Sequence, residues 1–282
     1  MLRIAIQSKG RLYEESMALL EEAGIKIPGG KRTLLVPARN FPVEVLFLRD
    51  DDIPESVASG VADVGIVGLN EVMEKRCPVG ILKKLGFGKC RLSLAIPQNI
   101  DYQDRNWFSG KKIATSYPGI LSDYLHKNGI VSDIHVITGS VEIAPGIRLA
   151  DAIFDIVSSG STLVSNRLKE VETVVESEAV LIGTDSISPE KRGILDELLF
   201  RFDSVQAADD KKYILMNVPQ KKLNDVLSVL PGIKSPTVMP LADKEWCSVH
   251  TVLDEKCFWE IINRLKTAGA EGAARVIQVR ET

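Results

Sequence analysis

The chain has 282 residues, of which 45% are hydrophobic and 26% charged, and its formal net charge at pH 7 is −3. This composition excludes a disordered or fibrous protein and predicts a globule large enough for two or three domains. The small negative charge argues against a broad nucleic-acid-binding face, so any anionic ligand must be bound by local positive groups.

Cysteine usage and hydropathy exclude further classes. The four cysteines at positions 77, 90, 247 and 257 form no Cys-x-x-Cys pair and are too sparse for a disulfide-rich domain, so we predict four reduced thiols. The chain start, MLRIAIQSKG, has too short an apolar run for a signal peptide, and no stretch approaches the length of a membrane helix. We therefore expect a cytoplasmic protein with neither membrane nor nucleic acid as a partner.

Strand-like and helix-like segments alternate through the first part of the chain. Residues 2–6 and 43–48 have the apolar pattern of strands, and an amphipathic helix ending at Gly24 follows the first. The segment DDIPESVASG follows the second, and its acidic start, Pro54 and final Gly60 are helix boundary signals. A buried strand, ADVGIVG, comes next. This order predicts an α/β sheet.

A second α/β unit begins near residue 96. Residues 111–115 read as a strand, residues 120–128 as a helix and residues 134–138 as another strand. The segment LADAIFDIV that follows is similar to GVADVGIVG in the first unit. The similarity reflects either chance between two buried strands or two similar lobes facing a cleft, each with a strand-to-helix turn towards the ligand.

The last part of the chain has a different order of elements. Strand, helix, strand, strand, helix and strand are predicted in turn at residues 213–218, 220–230, 237–241, 247–253, 255–268 and 275–279. This βαββαβ order is the ferredoxin-like arrangement. The polar segment 207–212 is the predicted linker before it.

The segment DAIFDIVSSGSTL, residues 151–163, carries the strongest chemical signal. Its apolar run fits a strand, its Ser/Gly/Thr turn is small enough for an anion to approach closely, and Leu163 can begin a helix. Backbone N–H groups of such a turn bind phosphate, serine and threonine hydroxyls add donors, and Asp155 can accept hydrogen bonds from ribose hydroxyls. The alternative is an ordinary strand-to-helix turn with Thr162 as the helix N-cap.

This segment resembles the binding stretch for phosphoribosyl diphosphate (PRPP) in the ATP phosphoribosyltransferase family. Further similar segments follow in the same order along nearly the whole chain: IAIQSKGRL, LRDDDIP, ADVGIVG, CRLSLA, KIATSYP, GSVEIAP, YILMNVP and SPTVMPL. The resemblance implies the long form, with a two-lobed core like that of periplasmic binding proteins and a C-terminal ferredoxin-like regulatory domain. It implies a first lobe of residues 1–95 and about 180–206, a second lobe of residues 96–179, and a regulatory domain of residues 209–282.

The resemblance also implies an activity and its ligands. The reaction joins N1 of the ATP adenine to C1 of the PRPP ribose and releases diphosphate, as the first step of histidine biosynthesis. Mg²⁺ is the implied cofactor, histidine the implied inhibitor and AMP a further candidate ligand. Family members form dimers and hexamers, and the long form needs no separate regulatory subunit. A bilobal solute-binding or regulatory protein without catalysis is the alternative.

The implied PRPP contacts lie in the segment already described. They are Asp151, Asp155, Ser158, Ser159, Gly160, Ser161 and Thr162, with the turn holding the 5′-phosphate and Asp155 the ribose hydroxyls. Asp151 is less well placed, because it can lie at the other end of the strand. Lys9, Arg11 and Arg49 follow predicted strands and are expected to contact diphosphate or triphosphate oxygens, although each can instead be a solvated surface cation. Catalysis is expected from Asp155, Lys9 and Arg49.

The remaining implied contacts are more open to other interpretations. Asp63, Asn70, Tyr117 and Glu142 are expected at the ATP site, but Asn70 can equally cap a helix and Tyr117 can merely pack. The implied histidine contacts in the third domain are Asn217, Ser235 and Thr237. Small polar residues at strand ends are also common turn formers.

Overall fold

The computed structural model describes residues 1–28, 33–209, 211–231, 236–271 and 277–278. They form two compact units. The first comprises residues 1–21 and 25–197 and contains two α/β lobes; the second comprises residues 22–24 and the described part of 198–282.

The described residues form fifteen strands and eight helices. The strands are β1 (Leu2–Gln7), β2 (Leu35–Pro37), β3 (Val43–Leu48), β4 (Val64–Gly68), β5 (Gly80–Lys84), β6 (Cys90–Pro97), β7 (Lys112–Thr115), β8 (Asp133–Val136), β9 (Ala152–Val157), β10 (Leu168–Ser177), β11 (Ala179–Gly183), β12 (Lys211–Pro219), β13 (Thr237–Pro240), β14 (Trp246–Asp254) and β15 (Ile277–Gln278). The helices are α1 (Arg11–Glu22), α2 (Ile53–Ala58), α3 (Leu69–Lys75), α4 (Pro118–Lys127), α5 (Ser161–Ser165), α6 (Pro189–Asp209), α7 (Leu223–Val229) and α8 (Glu255–Ala268).

The first lobe is built on a six-stranded sheet of order β2-β3-β1-β4-β11-β5. Strands β3, β1 and β4 are parallel, and their inward side chains, including Ile4, Val45 and Ile66, are fully buried. A β-carbon on Gly65 would lie 2.6 Å from a methyl group of Ile53, so glycine in the ADVGIVG strand lets α2 pack directly on the sheet.

The second lobe is built on a five-stranded sheet of order β10-β6-β9-β7-β8. Strands β9, β7 and β8 are parallel, whereas β6 and β10 are antiparallel to their neighbours. The sheet includes all of β6 and therefore begins at Cys90, before the boundary predicted at residue 96. Leu92, Leu94, Phe108 and Phe154 form the centre of its core.

The parallel strands bring most of the predicted site residues to one edge of each sheet. In the first lobe, β1, β3 and β4 end just before Lys9, Arg49 and Asn70. In the second lobe, β7 ends just before Tyr117, and β9 ends just before the SSGST turn. Ligands of open α/β sheets bind beyond the carboxyl ends of the strands, so these two edges are the expected sides of a cleft.

The C-terminal unit contains an antiparallel sheet of order β13-β14-β12-β15. Helices α7 and α8 cover one face, where Ile214, Val249 and Phe258 are buried. The prediction of a ferredoxin-like βαββαβ domain is confirmed. The predicted linker 207–212 contains the end of α6 and the start of β12. In the part of the chain described, no helix is long and apolar enough to span a membrane.

Candidate functional site

The SSGST turn connects β9 to α5 in the second lobe. Gly160 has φ +81°, a left-handed conformation that glycine adopts without strain, and it is the N-cap of α5. Thr162 therefore lies inside the helix and is not its N-cap. Leu163 is buried and anchors the turn to the core, while Ser158, Ser159, Ser161 and Thr162 are exposed. The turn thus presents hydroxyl and N–H groups outward from a fixed base.

Asp155 lies near the carboxyl end of β9, opposite Ser93 of β6. Burial raises the pKa of its carboxyl to about 6; the N–H of Ile156, which donates to Oδ1 at 2.8 Å, lowers the pKa, and the charge of Glu142 raises it. Glu142 lies in a 3-10 turn, Val141–Ile143, of the same lobe. The charge of Glu142 is therefore felt at Asp155, and both side chains are half-buried.

Three cations of the first lobe lie at the carboxyl edge of its sheet, and one of them, Arg11, reaches the SSGST turn. Arg11 Nη1 donates to the Ser158 hydroxyl at 3.0 Å, which joins the two lobes directly. Lys9 is exposed beside Gly10, which has φ +91° in the loop between β1 and α1. Arg49 is exposed after β3, with its Nε 3.4 Å from an Asp51 oxygen. The contact of these three cations with diphosphate or triphosphate oxygens stays a prediction.

Asp63 and Asp151 lie at the opposite edges of their sheets. Asp63 precedes β4, where its carboxylate accepts hydrogen bonds from the Arg3 N–H at 2.8 Å and from Lys191 Nζ. Asp151 precedes β9 and accepts one from the Lys112 N–H at 2.9 Å. Each aspartate therefore holds the start of the neighbouring parallel strand. The structure does not bring Asp63 to the expected ATP site or Asp151 to the SSGST turn.

The similarity between GVADVGIVG and LADAIFDIV now has a physical explanation. In both lobes the aspartate before the strand receives the backbone N–H of the adjacent parallel strand, and the strand then leads to a turn at the cleft edge. The two segments thus occupy equivalent positions in two similar α/β lobes, as one of the two alternatives predicted.

A buried polar cluster joins the lobes: Asn70, Glu71, Tyr117 and Ser177, all between 4% and 7% exposed. Asn70 Nδ2 donates to Glu71 Oε1 at 3.0 Å and to Tyr117 Oη at 3.2 Å, and its Oδ1 accepts from the Ser177 hydroxyl at 2.8 Å. Tyr117 donates to Glu71 Oε1 at 2.8 Å. The amide of Asn70 is therefore fully engaged within the protein, neither capping a helix nor turned to a base, and Tyr117 packs in the core.

The sequence did not predict Glu71 as part of this cluster. A glutamate in the first turn of a helix is a common helix-start signal, so its type and position suggested only a local role. Burial raises the pKa of the Glu71 carboxyl, and the hydrogen bond from Tyr117 lowers it. Only the fold places its carboxylate against a tyrosine of the other lobe.

A cavity of about 550 Å³ opens where the two lobes are connected. Ser158, Cys90, Arg91 and Lys89 contribute from the second lobe or its entry, and Leu69 contributes from the start of α3. The other lining residues are Lys84 at the end of β5, Glu176 and Ser177 at the end of β10, and Glu178 between β10 and β11. The exposed start of the SSGST turn therefore borders a space large enough for a small anionic ligand.

Within the described ranges, no three histidine, cysteine, aspartate or glutamate side chains converge as a metal site. In the C-terminal unit, Asn217 lies opposite Ser248, and Thr237 opposite His250, in adjacent pairs of strands. His250 contacts Tyr213 Oη through Nδ1 and the Ser248 hydroxyl through Nε2, so polar groups cluster on this sheet. Ser235 lies outside the described residues.

These features define a bilobal α/β core with a serine-rich strand-to-helix turn, followed by a ferredoxin-like domain. A solved substrate-binding protein of an amino acid ABC transporter matches 73% of this chain and 93% of its own, with a TM-score of 0.50 and 11% identity, which supports the fold alone. A chain of the ATP phosphoribosyl transferase (HisG:HisZ) complex from Thermotoga maritima matches with a TM-score of 0.65 and 27% identity, over 74% of this chain and all of its own.

Sequence comparison identifies the family. The profile of ATP phosphoribosyltransferase matches residues 49–204, and the profile of the HisG C-terminal domain matches residues 208–275. The ATP phosphoribosyltransferase of Bacteroides fragilis is 70% identical over 272 residues, which cover 96% of each chain. The chain belongs to the ATP phosphoribosyltransferase family, in the long form with a C-terminal domain, and is an enzyme of phosphoribosyl transfer.

Proposed function

We propose that the chain joins N1 of the ATP adenine to C1 of the PRPP ribose, giving N1-(5-phosphoribosyl)-ATP and diphosphate as the first step of histidine biosynthesis. The observation that carries this proposal is the SSGST turn with Asp155 beside it and Arg11 reaching its first serine from the other lobe. A turn with outward hydroxyl and N–H groups suits the 5′-phosphate, and a neighbouring carboxylate suits ribose hydroxyls.

The reaction needs little covalent chemistry from the protein. An adenine ring nitrogen is a neutral nucleophile, so the N1–C1 bond can form as the bond from C1 to diphosphate breaks, without an activated serine or cysteine. Catalysis then consists of alignment of the two substrates and stabilisation of positive charge on the ribose and negative charge on diphosphate. Asp155 would hold the ribose in position, and its negative charge would favour the cationic sugar.

Three cations at the first sheet's edge would bind the phosphate chains. Lys9 and Arg49 are exposed and can turn towards diphosphate or triphosphate oxygens, while Arg11 already lies 3.0 Å from the Ser158 hydroxyl. Charge-assisted contacts of this kind would strengthen as diphosphate leaves. Glu142 remains a candidate for the ATP site, because its charge acts on the carboxyl of Asp155 in the same lobe.

Magnesium would bind mainly to substrate oxygens, since the ion keeps oxygen ligands and is commonly held by one or two carboxylates plus phosphates. Asp155, near the end of β9, and Glu142, in the 3-10 turn of the same lobe, are carboxylates of the kind that this ion prefers, so their chemistry fits such a site. When bound, the ion would neutralise the developing charge on diphosphate.

The function is tested by incubating the purified chain with ATP, PRPP and magnesium and measuring diphosphate release. We expect release that requires both substrates and yields an adenine nucleotide heavier by one phosphoribosyl group. Omission of either substrate, and substitution of ATP by GTP, are the matched controls. Binding of both substrates without diphosphate release would instead identify a bilobal binding protein.

We propose two catalytic lobes, residues 1–89 with about 180–206 and residues 90–179, because β6 moves the boundary expected at residue 96 back to Cys90, and a histidine-sensing regulatory domain at residues 209–282. The profile match to a HisG C-terminal domain at residues 208–275 supports this division, and the polar groups of β12, β13 and β14 offer partners for an amino acid.

We further propose a cytoplasmic homo-oligomer, dimeric or hexameric, that needs no separate regulatory subunit and also binds AMP. Four free thiols suit a reducing compartment.

The proposed histidine site can be tested in the full chain. Asn217→Ala and Thr237→Ala should each weaken histidine inhibition about tenfold, the cost of one or two lost polar contacts, while kcat without histidine stays unchanged. The measurement is the histidine concentration that halves the rate. Thr267→Ala on the exposed surface of α8 is the control, and equal weakening there would remove these two residues from the site.

A further inference from the structure

Strand β10, at the edge of the sheet from which the SSGST turn leaves, contains two irregularities. Its pairing with β6 shifts register between Glu170 and Glu172 and again between Thr173 and Val175. Such bulges redirect side chains and are common beside active sites. Glu170 pairs in register with Ala95 of β6, yet its carboxylate reaches Arg91 and Ser93 of the same strand.

Glu170 and Arg91 form a closed ion pair. Arg91 Nε donates to Glu170 Oε1 and Arg91 Nη2 donates to Glu170 Oε2, both at 2.5 Å, which is bidentate geometry. The Ser93 hydroxyl donates to Glu170 Oε1 at 2.7 Å, and the Thr173 hydroxyl donates at 3.2 Å. The hydrogen bonds from Arg91 lower the pKa of Glu170 to about 2, against an opposing contribution from burial. The guanidinium is thus fixed in one orientation by a carboxylate that stays ionised.

The fixed guanidinium of Arg91 has one further hydrogen bond, to the SSGST turn. Arg91 Nη1 donates to the Ser158 carbonyl oxygen at 3.2 Å, next to the point where Arg91 pairs with Val157 of β9. The hydroxyl of the same serine accepts from Arg11 of the first lobe. Both oxygens of Ser158 are therefore held by arginines, one from each lobe.

We propose that Arg91 and Glu170 are positioning residues that fix the first residue of the SSGST turn for binding of the 5′-phosphate of PRPP. This inference rests on the proposed function, which assigns the turn to that phosphate. Because the carboxylate offsets the guanidinium charge, Arg91 acts through Ser158 and not as a phosphate ligand. A small displacement of the turn would misalign several donors at once.

Two substitutions distinguish positioning from direct binding. Arg91→Lys cannot hold two carboxylate oxygens and a carbonyl together, since the ammonium is a single point charge without the planar fork. Glu170→Gln keeps the size of the side chain but frees the guanidinium. If Arg91 positions the turn, both variants raise the KM for PRPP; if Arg91 bound phosphate itself, Glu170→Gln would leave that KM unchanged or lower it.

The experiment measures kcat, the KM for PRPP and the KM for ATP in the full chain. We expect Arg91→Lys and Glu170→Gln each to raise the KM for PRPP about tenfold, the usual effect of losing a charged hydrogen bond, with the KM for ATP and kcat nearly unchanged. The double variant should be little worse than either single one, because both act through Ser158. Ser93→Ala, a milder change, should give a smaller rise and keeps the test open if a stronger variant fails to fold.

Arg105→Lys is the matched control, because Arg105 also faces a β10 carboxylate, Glu172, and bonds to Asn128 away from the turn. Its KM for PRPP should stay at the wild-type value. Equal rises in both KM values, an unchanged KM for PRPP in Glu170→Gln, or an equal rise in Arg105→Lys would each overturn the positioning role while leaving the function intact. A wild-type chain that releases no diphosphate would overturn the function and this inference together.

Discussion

Replacing Asp155 by asparagine is expected to lower kcat/KM for PRPP by about two to three orders of magnitude, the cost of two charge-assisted hydrogen bonds to ribose hydroxyls. Asparagine keeps the shape of the side chain but loses the negative charge and one acceptor oxygen. The KM for ATP should change much less, because ATP is assigned to other residues. Steady-state kinetics with each substrate varied in turn separates the two effects.

The pH dependence of the same rate constant should identify Asp155 more directly. Its pKa is raised to about 6 chiefly by burial, and hydroxyl donors need the ionised carboxylate. Since kcat/KM reports groups of the free enzyme, this constant should fall as the pH falls below about 6 in the wild type. The phosphate of PRPP also titrates in this range. In Asp155→Asn, the fall of kcat/KM at low pH that comes from protonation of the PRPP phosphate should remain, and the fall that comes from protonation of Asp155 should disappear.

Asp151→Asn is the matched control for both measurements. Asp151 belongs to the same segment, but it lies before β9 and holds the Lys112 N–H. Its replacement should leave kcat/KM for PRPP and its pH profile unchanged. If Asp151→Asn and Asp155→Asn reduced kcat/KM equally, the ribose assignment would be wrong.

Much of the fold follows from patterns that are local in sequence. Buried strands such as β1, β3, β4 and β9 are short apolar runs bounded by glycine, acidic or serine-rich turns, and the C-terminal βαββαβ order is regular. The carboxyl-edge rule for parallel sheets then predicts the positions of Lys9, Arg49, Asp155 and the SSGST turn at the carboxyl ends of their strands, where the structure has them. These predictions need no knowledge of long-range contacts.

Strand β10 shows why the rest could not be predicted in the same way. Its apolar residues lie at Leu168, Val171, Val174 and Val175, a spacing closer to a helix than to the alternation of a strand. The two register shifts account for this spacing, because each inserts a residue that breaks the period of two. The same shifts accompany the contact between Glu170 and Arg91. Neither the strand nor this contact could therefore be predicted from the sequence of the segment.

The predictions that Asp63 and Asp151 contact a ligand were wrong for a different reason. An aspartate beside a strand is chemically suited either to a ligand or to a backbone N–H, and residue type alone does not distinguish the two. Asp63 and Asp151 precede their strands, whereas Asp155 lies near the end of one. Which end of a strand faces the cleft follows only from the strand directions in the sheet, and these depend on long-range pairing.

Replacing Glu71 by alanine is expected to destabilise the two-lobed unit by about 2–5 kcal/mol, because two buried donors lose their acceptor and a cavity remains. The donors are Tyr117 Oη and Asn70 Nδ2. The free energy of unfolding, measured by urea denaturation, gives this loss. Because Tyr117 belongs to the other lobe, looser lobes should also raise the KM for both substrates together, unlike the selective effects expected at Asp155 and Arg91.

Glu71→Gln provides the contrast, since its amide oxygen can still accept from both donors. The folded-state pKa of Glu71 is raised by burial above 4.5, so the native state binds more protons than the unfolded state as the pH rises past that value. The wild-type free energy of unfolding therefore receives a contribution that declines with rising pH until the folded pKa is passed. Glutamine has no such term, so the stability of Glu71→Gln relative to wild type should increase from pH 4 to pH 8. A constant difference would mean that the Glu71 carboxyl titrates alike in both states, and that its burial in this cluster carries no electrostatic cost.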